Sequence, residues 1–543
     1  MGEFCAMTPK QIFLREATGL VRNFSMFDAF NLNLGTVSVM VGTLYLFSWL
    51  SFVYPGANLI ISLTLIAGLA VIEAVVYSIL SSAMPRSGGD YVWVGRILHP
   101  ALGLMDNMFV LFAATQWLAF AASWLPTYAL SPFLTILGTN TSNLNLVSLG
   151  QQLATPTWSF IVGTIGLAYV ALLMILGGRY FANVQKILFI ITNIGMLAMI
   201  ITMATTPHQN FVDAINAVGR STSVTFNGIM KSATTSGYVP GWTLSGTILS
   251  LPFVYSFYAG YNCSAYVGGE VRDVKKNMPI AIIGSLVVAC ISAVVLAAAM
   301  FASMGYDFFN GLNYLYLANP NSYPSQVFIL QPSINYLFTF VTNNQAIVYL
   351  VLFAYIANGL WFLPTNVVLG SRNMFAWAFD RILPAKLAEV GDRFHSPHYA
   401  IILIVLVAEF NLYLSSFTTV LAFTANLVLG WFIAKLITAI AAASFPWRRK
   451  ELYEATVPPN YRRKILGLPM ISIAGVLYTI FSLGMIYGAL TNAAIGGVIA
   501  PTTLIEGVLS VYVLAAVLYY VAKYYRMKQG LNLSQIMSEI PAE

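Results

Sequence analysis

Long apolar stretches, each about as long as a membrane-spanning helix, alternate with polar segments along almost the whole chain. A helix needs roughly 20 mostly apolar residues to cross a bilayer. Twelve stretches meet this requirement and predict an all-α polytopic membrane protein with twelve transmembrane helices, here called spans 1 to 12. Their centres lie near Leu34, Leu65, Phe112, Ile165, Ile194, Tyr255, Ala289, Gly359, Leu406, Leu429, Tyr478 and Val511.

Two of these spans are interrupted near their centres by small and polar residues. Span 6 is apolar from Trp242 and then reads FYAGYNCS from Phe257 to Ser264. Span 1 is interrupted by Asn31, Asn33, Gly35, Thr36, Ser38 and Gly42. Broken backbone at membrane depth is tolerated only where it is buried in protein or lines a water-filled cavity. Matching interruptions five spans apart indicate a transporter binding site and an inverted repeat of spans 1–5 and 6–10, with spans 11 and 12 appended.

Two facing breaks predict the chemistry of a ligand. Amides at a helix N-terminal end attract a carboxylate, and carbonyls at a C-terminal end attract an ammonium group. The sequence therefore predicts a backbone-built site for an α-amino acid. Because neither broken segment contains an acidic or basic residue, we expect a neutral substrate. The alternative is that Gly and Ser only let these helices pack closely.

Composition supports the membrane class. Charged residues make up 8% of the 543 residues and hydrophobic residues 58%, whereas soluble proteins carry about 25% charged residues. The net charge of +7 is a matter of topology, since all Lys and Arg except Arg220, Lys231 and Lys435 lie in the termini, in alternate loops or at helix ends on one side. That asymmetry predicts that both termini are cytosolic and does not indicate a nucleic-acid partner.

The expected organisation follows from this topology. We predict a cytosolic N-terminus at 1–22, a transport core at 23–444, a cytosolic loop at 445–468, helices 11 and 12 at 469–524 and a cytosolic C-terminus at 525–543. The protein is expected to be a multi-pass protein of the cell membrane.

The sequence lacks the residue patterns typical of metal or cofactor sites, of ATP-driven transport and of enzymes. Cys5, Cys263 and Cys290 have no metal or redox spacing, and the four histidines lie in loops or at span ends, so no metal or cofactor is expected. No phosphate-binding glycine loop indicates ATP-driven transport, and no nucleophile–base set within the spans indicates an enzyme.

Several charged residues fall within the spans. Glu73 lies deep in span 2, and an intramembrane carboxylate is by default a functional-site hypothesis, here for carrying a proton. A hydrogen-bonded structural acid is the alternative, and it is favoured for Glu409 in span 9. Asp106 and Lys186 are expected to be cytosolic-gate groups or to extend their charged ends to the interface, and Lys435 is expected to extend its ammonium group to the interface.

Three further segments carry a family resemblance. PRSGGDYVWVGRILHPALGL (Pro85 to Leu104), GGEVRDVKKNMPIAI (Gly268 to Ile282) and SRNMFAWAFDRILPAKLAEV (Ser371 to Val390) occur after spans 2, 6 and 8. Over roughly residues 15 to 445 the chain resembles the amino acid–polyamine–organocation (APC) superfamily. The resemblance implies a LeuT-like fold, alternating access and a substrate site between helices 1, 3, 6, 8 and 10.

The resemblance also implies particular site residues. It places the substrate at Leu34, Gly35, Thr36, Val37, Ser38, Ser256, Phe257, Tyr258, Ala259, Gly260, Thr365 and Asn366. Within this set, Tyr258 is expected to cover the bound molecule. The chain departs from the family in helix 1, where LGTVS replaces a Gly-Ser-Gly type run.

The residues of helices 5 and 8 bear on the coupling ion. Some proton-coupled relatives carry a lysine in helix 5, where this chain has Thr192 or Asn193 and, about two turns earlier, Lys186. Glu73 and Lys186 are therefore the candidates for proton coupling. Helix 8 shows no adjacent Ser/Thr pair for sodium, since Pro364 and Thr365 stand there.

Taken together, the sequence predicts a secondary active transporter for neutral amino acids, coupled to protons or to exchange. The alternatives are a sodium-coupled or organocation transporter of the same fold, or a channel or substrate sensor that does not transport.

Overall fold

The computed structural model describes residues 22–391, 393–418, 427–491 and 501–537. The predicted N-terminal segment, except for its last residue, lies outside the described residues, and so do Cys5 and the end of the predicted C-terminus.

The described chain is built almost entirely from helices. Its α-helices are α1 Met26–Val37, α2 Val39–Val53, α3 Leu59–Ala83, α4 Asp90–Ile97, α5 Pro100–Trp124, α6 Ser131–Asn140, α7 Leu144–Leu153, α8 Pro156–Ile175, α9 Gly178–Thr205, α10 His208–Val218, α11 Phe226–Thr235, α12 Leu244–Leu249, α13 Leu251–Tyr258, α14 Val274–Met304, α15 Tyr306–Ala318, α16 Ile334–Leu337, α17 Gln345–Phe379, α18 His398–Phe417, α19 Val428–Arg448, α20 Lys450–Thr456, α21 Met470–Thr491, α22 Pro501–Lys528 and α23 Leu533–Ile536. A π-helix at Leu125–Leu130 joins α5 to α6. The strands are β1 Lys464–Ile465 and β2 Leu468–Pro469, which form an antiparallel hairpin.

The prediction of an all-α membrane protein is confirmed. In the described residues, 11 helical segments are long and apolar enough to cross a membrane. The remaining predicted span, span 6, is divided into α12 and α13, and neither piece is long enough to count alone. Span 1 is also interrupted, between α1 and α2, although its two halves remain nearly continuous.

Burial separates an inner group of membrane helices from an outer one. In their most apolar windows, α5 and α19 have 67% of their residues buried, whereas α9 has 28% and α22 has 33%. The outer helices expose large apolar side chains such as Ile165, Ile187 and Val513. We infer that these side chains face lipid, and that α1–α2, α5, α17 and α19 form the protein interior around the two breaks.

Helical structure continues into the segment predicted as the loop between spans 10 and 11. α19 continues to Arg448, past the predicted boundary at residue 444, and α22 continues past residue 524 to Lys528. Arg448 donates a hydrogen bond to the Leu98 carbonyl and Arg449 to the Arg96 carbonyl, at 3.2 and 2.9 Å. These contacts with the segment around α4 support the extra turn of α19 outside the apolar span.

The expectation for Asp106 and Lys435 as snorkelling residues is wrong. Both side chains are 0% exposed. The predicted loop from Pro85 to Pro100 folds back as α4, which is buried along its whole length and brings Asp90 to Lys435. The Lys435 ammonium group therefore pairs with Asp90 inside the protein and does not extend to the membrane interface.

Candidate functional site

The break in span 1 is a single residue in a left-handed conformation. Ser38 has φ 51° and ψ 70°, which is uncommon for a residue other than glycine. Its amide closes α1 on the Leu34 carbonyl at 2.7 Å. Its hydroxyl donates to Asn358 Oδ1 of α17 at 2.7 Å, and the same oxygen accepts the Val41 amide at 3.1 Å. Asn358 therefore stabilises the break from a neighbouring helix.

This break leaves amide groups available at the start of α2. The first four amides of a helix have no partner within it. At the start of α2 these are the amides of Ser38 to Val41, of which the Ser38 amide donates to the Leu34 carbonyl and the Val41 amide to Asn358. In the part of the chain that the structure describes, Val39 and Met40 are the remaining two, with no hydrogen-bond partner for their amides. Amides without a partner at a helix N-terminus favour a negatively charged group.

The break in span 6 follows the end of α13. Ala259 leaves the helical conformation at φ −55° and ψ 117°, and Gly260 has φ +105°, a conformation that favours glycine. A Cβ atom on Gly260 would overlap the side-chain methyl of Thr36. Among the last carbonyls of α13, those of Tyr255 and Tyr258 accept the amides of Ala259 and Tyr261. The two breaks thus touch each other directly at Gly260 and Thr36.

A small cavity of about 40 Å³ lies where the breaks meet. Of the predicted site residues, it is lined by Thr36, Val37, Ser38, Ser256, Phe257, Ala259, Gly260 and Asn366. The structure brings these residues together from α1, α13 and α17.

Four predicted residues lie outside this lining, and the reason is helix geometry. Tyr258 donates to the Leu63 carbonyl at 3.1 Å and shares with Tyr255 the face of α13 that packs on α3, so it does not cover the cavity. A Cβ on Gly35 would meet Trp361 Nε1 at 2.9 Å, so this glycine serves the packing of α1 on α17. Leu34 is buried and Thr365 bonds within its own helix, to the Phe362 carbonyl at 2.7 Å.

The sequence reasoning missed the aromatic wall of the cavity. This wall consists of Tyr45, Trp117, Trp124, Phe257, Phe362 and Trp431, of which only Phe257 was predicted. The Tyr45 ring lies 6.0 Å from Trp117 and 5.3 Å from Trp124, measured between ring centroids. One signal was present, because Trp117 and Trp124 are seven residues apart and therefore share one face of α5.

No charged side chain lines the cavity within the described ranges. On the side of the predicted cytosolic loops, two buried ion pairs close the protein. Arg372 binds both carboxylate oxygens of Glu270 at 2.8 and 3.0 Å, and Arg96 binds Asp380 at 2.7 Å. These pairs join the segment after the span 6 break to α17, and α4 to the C-terminal end of α17.

The sequence comparison now decides the family. A sequence model of the family described as "Amino acid permease" matches residues 24–516, which includes both breaks and the cavity. The chain belongs to this family of amino acid permeases. The prediction of an APC-type permease is confirmed, and the protein is an amino acid transporter.

Individual relatives of this permease are distant. It is 23% identical over 450 residues to the branched-chain amino acid permease BcaP of Lactococcus lactis, a match that covers 79% of this chain and 83% of BcaP. It is 22% identical over 307 residues to the uncharacterized protein 399 of Sulfolobus islandicus rod-shaped virus 1. That match covers 56% of the permease and 60% of the viral protein.

The two proton-coupling candidates of the permease lie in different surroundings. Glu73 is 0% exposed, and its carboxylate accepts Tyr255 Oη at 2.5 Å and Asn262 Nδ2 at 3.1 Å. Both donors flank the span 6 break, although Glu73 itself does not line the cavity. Lys186 is 39% exposed and pairs with Asp28 at 2.9 Å, which ties α9 to the start of α1.

Proposed function

We propose that this permease is a secondary active transporter that carries neutral, apolar amino acids across the cell membrane by alternating access. The observation that carries the proposal is the cavity at the contact of the two breaks, which is lined by residues of both breaks and by six aromatic side chains. The name of the distant relative BcaP, a branched-chain amino acid permease, agrees with this substrate class.

In this proposal the two breaks hold the charged ends of the substrate. The N-terminal end of α2, where Ser38, Val41 and Gly42 line the cavity, binds the carboxylate, and the amides of Val39 and Met40 belong to the same first turn. The carbonyls of Ser256 and Phe257 at the end of α13 bind the ammonium group. The substrate side chain then packs against the aromatic wall, with Asn366 as a polar contact. A charged side chain has no counter-ion in this lining and is disfavoured by the cost of its desolvation.

A thermal-shift experiment on the full-length permease tests the substrate class. We expect leucine to raise the melting temperature, because a ligand present at a hundredfold excess over its Kd stabilises the folded state by about 2.7 kcal/mol. Lysine, glutamate and putrescine should have no effect at the same concentration. Stabilisation by lysine or putrescine without leucine would contradict the proposal in favour of an organocation transporter.

We further propose that transport is coupled to protons through Glu73, which links α3 to both sides of the span 6 break. In proteoliposomes, an inward proton gradient should drive leucine accumulation, and Glu73→Gln should abolish accumulation but keep leucine exchange. Lys186 is the second candidate, and its Asp28 partner at the start of α1 would connect it to span 1. Accumulation driven by sodium alone would contradict proton coupling, and leucine binding without any uptake would indicate a sensor.

The orientation of the permease is also a proposal, with both termini in the cytosol. Asn143, Asn227 and Asn321 are exposed and lie in the polar stretches between spans 3 and 4, 5 and 6, and 7 and 8, which this orientation places outside the cell. Single cysteines at these positions, in a background without the native cysteines, should react with an impermeant thiol reagent from outside intact cells. Labelling only after lysis would reverse the orientation.

Asn358 is predicted to position the span 1 break. Asn358→Leu leaves the Ser38 hydroxyl and the Val41 amide without their acceptor, at about 1–3 kcal/mol for each buried group. We expect a lower melting temperature. Leucine affinity should fall about tenfold, which corresponds to about 1.4 kcal/mol of binding free energy lost because the span 1 break is displaced.

A matched control separates stability from positioning. Asn411 is also buried and donates to Thr115 Oγ1 at 3.1 Å, away from the breaks. Asn411→Leu should lower the melting temperature and leave leucine affinity unchanged. Equal losses of affinity in both variants would show that Asn358 contributes only stability.

A further inference from the structure

A second buried group of charges lies among α3, α4, α5 and α19. The Lys435 ammonium is 3.2 Å from Asp90 Oδ2, and the Tyr77 hydroxyl lies within hydrogen-bond distance of both. Asp90 also accepts hydrogen bonds from Tyr266 and, at 2.7 Å, from Asn107 Nδ2. All five side chains are fully or almost fully buried. The Lys435 ammonium is thus the counter-ion of Asp90, and the two charges of this pair balance.

Asp106 in α5 belongs to this group but, in the described part of the chain, has fewer hydrogen-bond donors than Asp90 and no ammonium partner of its own. It is 0% exposed, and its Oδ2 accepts one hydrogen bond, from Thr438 Oγ1 at 2.6 Å. Its Oδ1 is buried and finds no hydrogen-bond partner among the described residues. The titratable groups close enough to interact with its charge are Tyr77, Asp90, Tyr266, Lys435 and Tyr512.

The charge balance determines what Asp106 binds. One ammonium group faces two carboxyl groups here, and Asp90 already neutralises it. An ionised Asp106 would be an uncompensated charge in the membrane interior, which costs several kcal/mol. We infer that Asp106 is a proton-binding site of the permease, and that the proton is held on its unpartnered Oδ1.

The position of Asp106 suggests how this proton is exchanged. Asp106 lies six residues after the start of α5 at Pro100, or about 9 Å along the helix. Water that enters from the Pro100 end of α5 would therefore reach Asp106 before Glu73. Glu73 lies one turn before Tyr77 on α3, and the Tyr77 hydroxyl accepts a hydrogen bond from the Lys435 ammonium. Through Tyr77, the charge cluster around Lys435 adjoins the turn of α3 that carries Glu73.

The inference rests on the proposed proton-coupled transport of neutral amino acids, and Asp106→Asn tests it in proteoliposomes. Asparagine resembles a permanently protonated aspartate. An acid that only holds its proton should tolerate the change, whereas an acid that gives up its proton in each cycle should not. We expect Asp106→Asn to lose leucine accumulation driven by a proton gradient and to retain leucine exchange at equal pH on both sides.

Glu409→Gln is the matched control. Glu409 Oε1 accepts Thr164 Oγ1 at 2.6 Å, the same chemistry and distance as at Asp106, but on a half-buried side chain of an outer helix. The Glu409→Gln variant should accumulate leucine like the unmodified permease. Accumulation by Asp106→Asn at the level of the unmodified protein would overturn the inference.

The outcomes separate the proposed substrate class from the proton-binding role of Asp106. If the unmodified permease does not exchange leucine, the proposed substrate class fails. If it exchanges leucine but does not respond to the proton gradient, proton coupling and this inference fail together.

Infrared spectroscopy gives a second measurement that does not need transport. The unmodified protein should show the C=O band of a protonated carboxyl group that is missing in Asp106→Asn, and identical spectra would also overturn the inference.

Discussion

Gly260→Ala is expected to reduce leucine affinity about a hundredfold while the protein still folds, for an added cost near 2.7 kcal/mol. Gly260 combines φ +105° with the direct contact of the two breaks. A methyl group there adds backbone strain and overlaps Thr36, so the amides and carbonyls proposed to bind the substrate must move apart. Isothermal titration or a scintillation proximity assay with leucine measures the loss.

Two further variants make this prediction specific. Gly68→Ala in α3 is the matched control, because a Cβ there meets nothing within 4 Å, and leucine affinity should be unchanged. Thr36→Ser removes the methyl group that Gly260→Ala would meet, so the double variant should recover part of the affinity. Normal leucine binding by Gly260→Ala alone would place the substrate site elsewhere.

Lys435→Met is expected to destabilise the permease by about 3–5 kcal/mol, because removing one partner of a buried ion pair leaves the other charge uncompensated. Asp90 would lose its ammonium partner, although the tyrosine hydroxyls around it remain. Thermal unfolding in detergent at neutral pH should show the lower melting temperature.

The double variant Lys435→Met/Asp90→Asn provides the comparison. With both charges removed, most of the lost stability should return, since replacing a whole buried pair is often close to neutral. If the double variant is as unstable as Lys435→Met, the loss comes from packing of the lysine stem and not from the unpaired carboxylate.

The sequence by itself determined the class of the protein and the place of the breaks. Both follow from local chemistry: a run of about 20 apolar residues spans a bilayer whatever surrounds it. Glycine and polar residues within such a run mark where the helix is interrupted, as the structure bears out at Ser38 and Gly260. The family followed from the segments after spans 2, 6 and 8, and the match over residues 24–516 confirmed it.

Only the tertiary structure decided which side chains meet. Tyr258 follows Phe257 in the chain, yet Phe257 lines the cavity and Tyr258 binds α3, because neighbouring helical positions point in different directions. Lys435 and Asp90 are 345 residues apart, so no local pattern shows that they pair. Without that partner, a lysine in an apolar span is expected to extend to the interface; with it, the ammonium group stays buried. The environment of a charge in the membrane is set by contacts between helices, which lie beyond the reach of helical periodicity and composition.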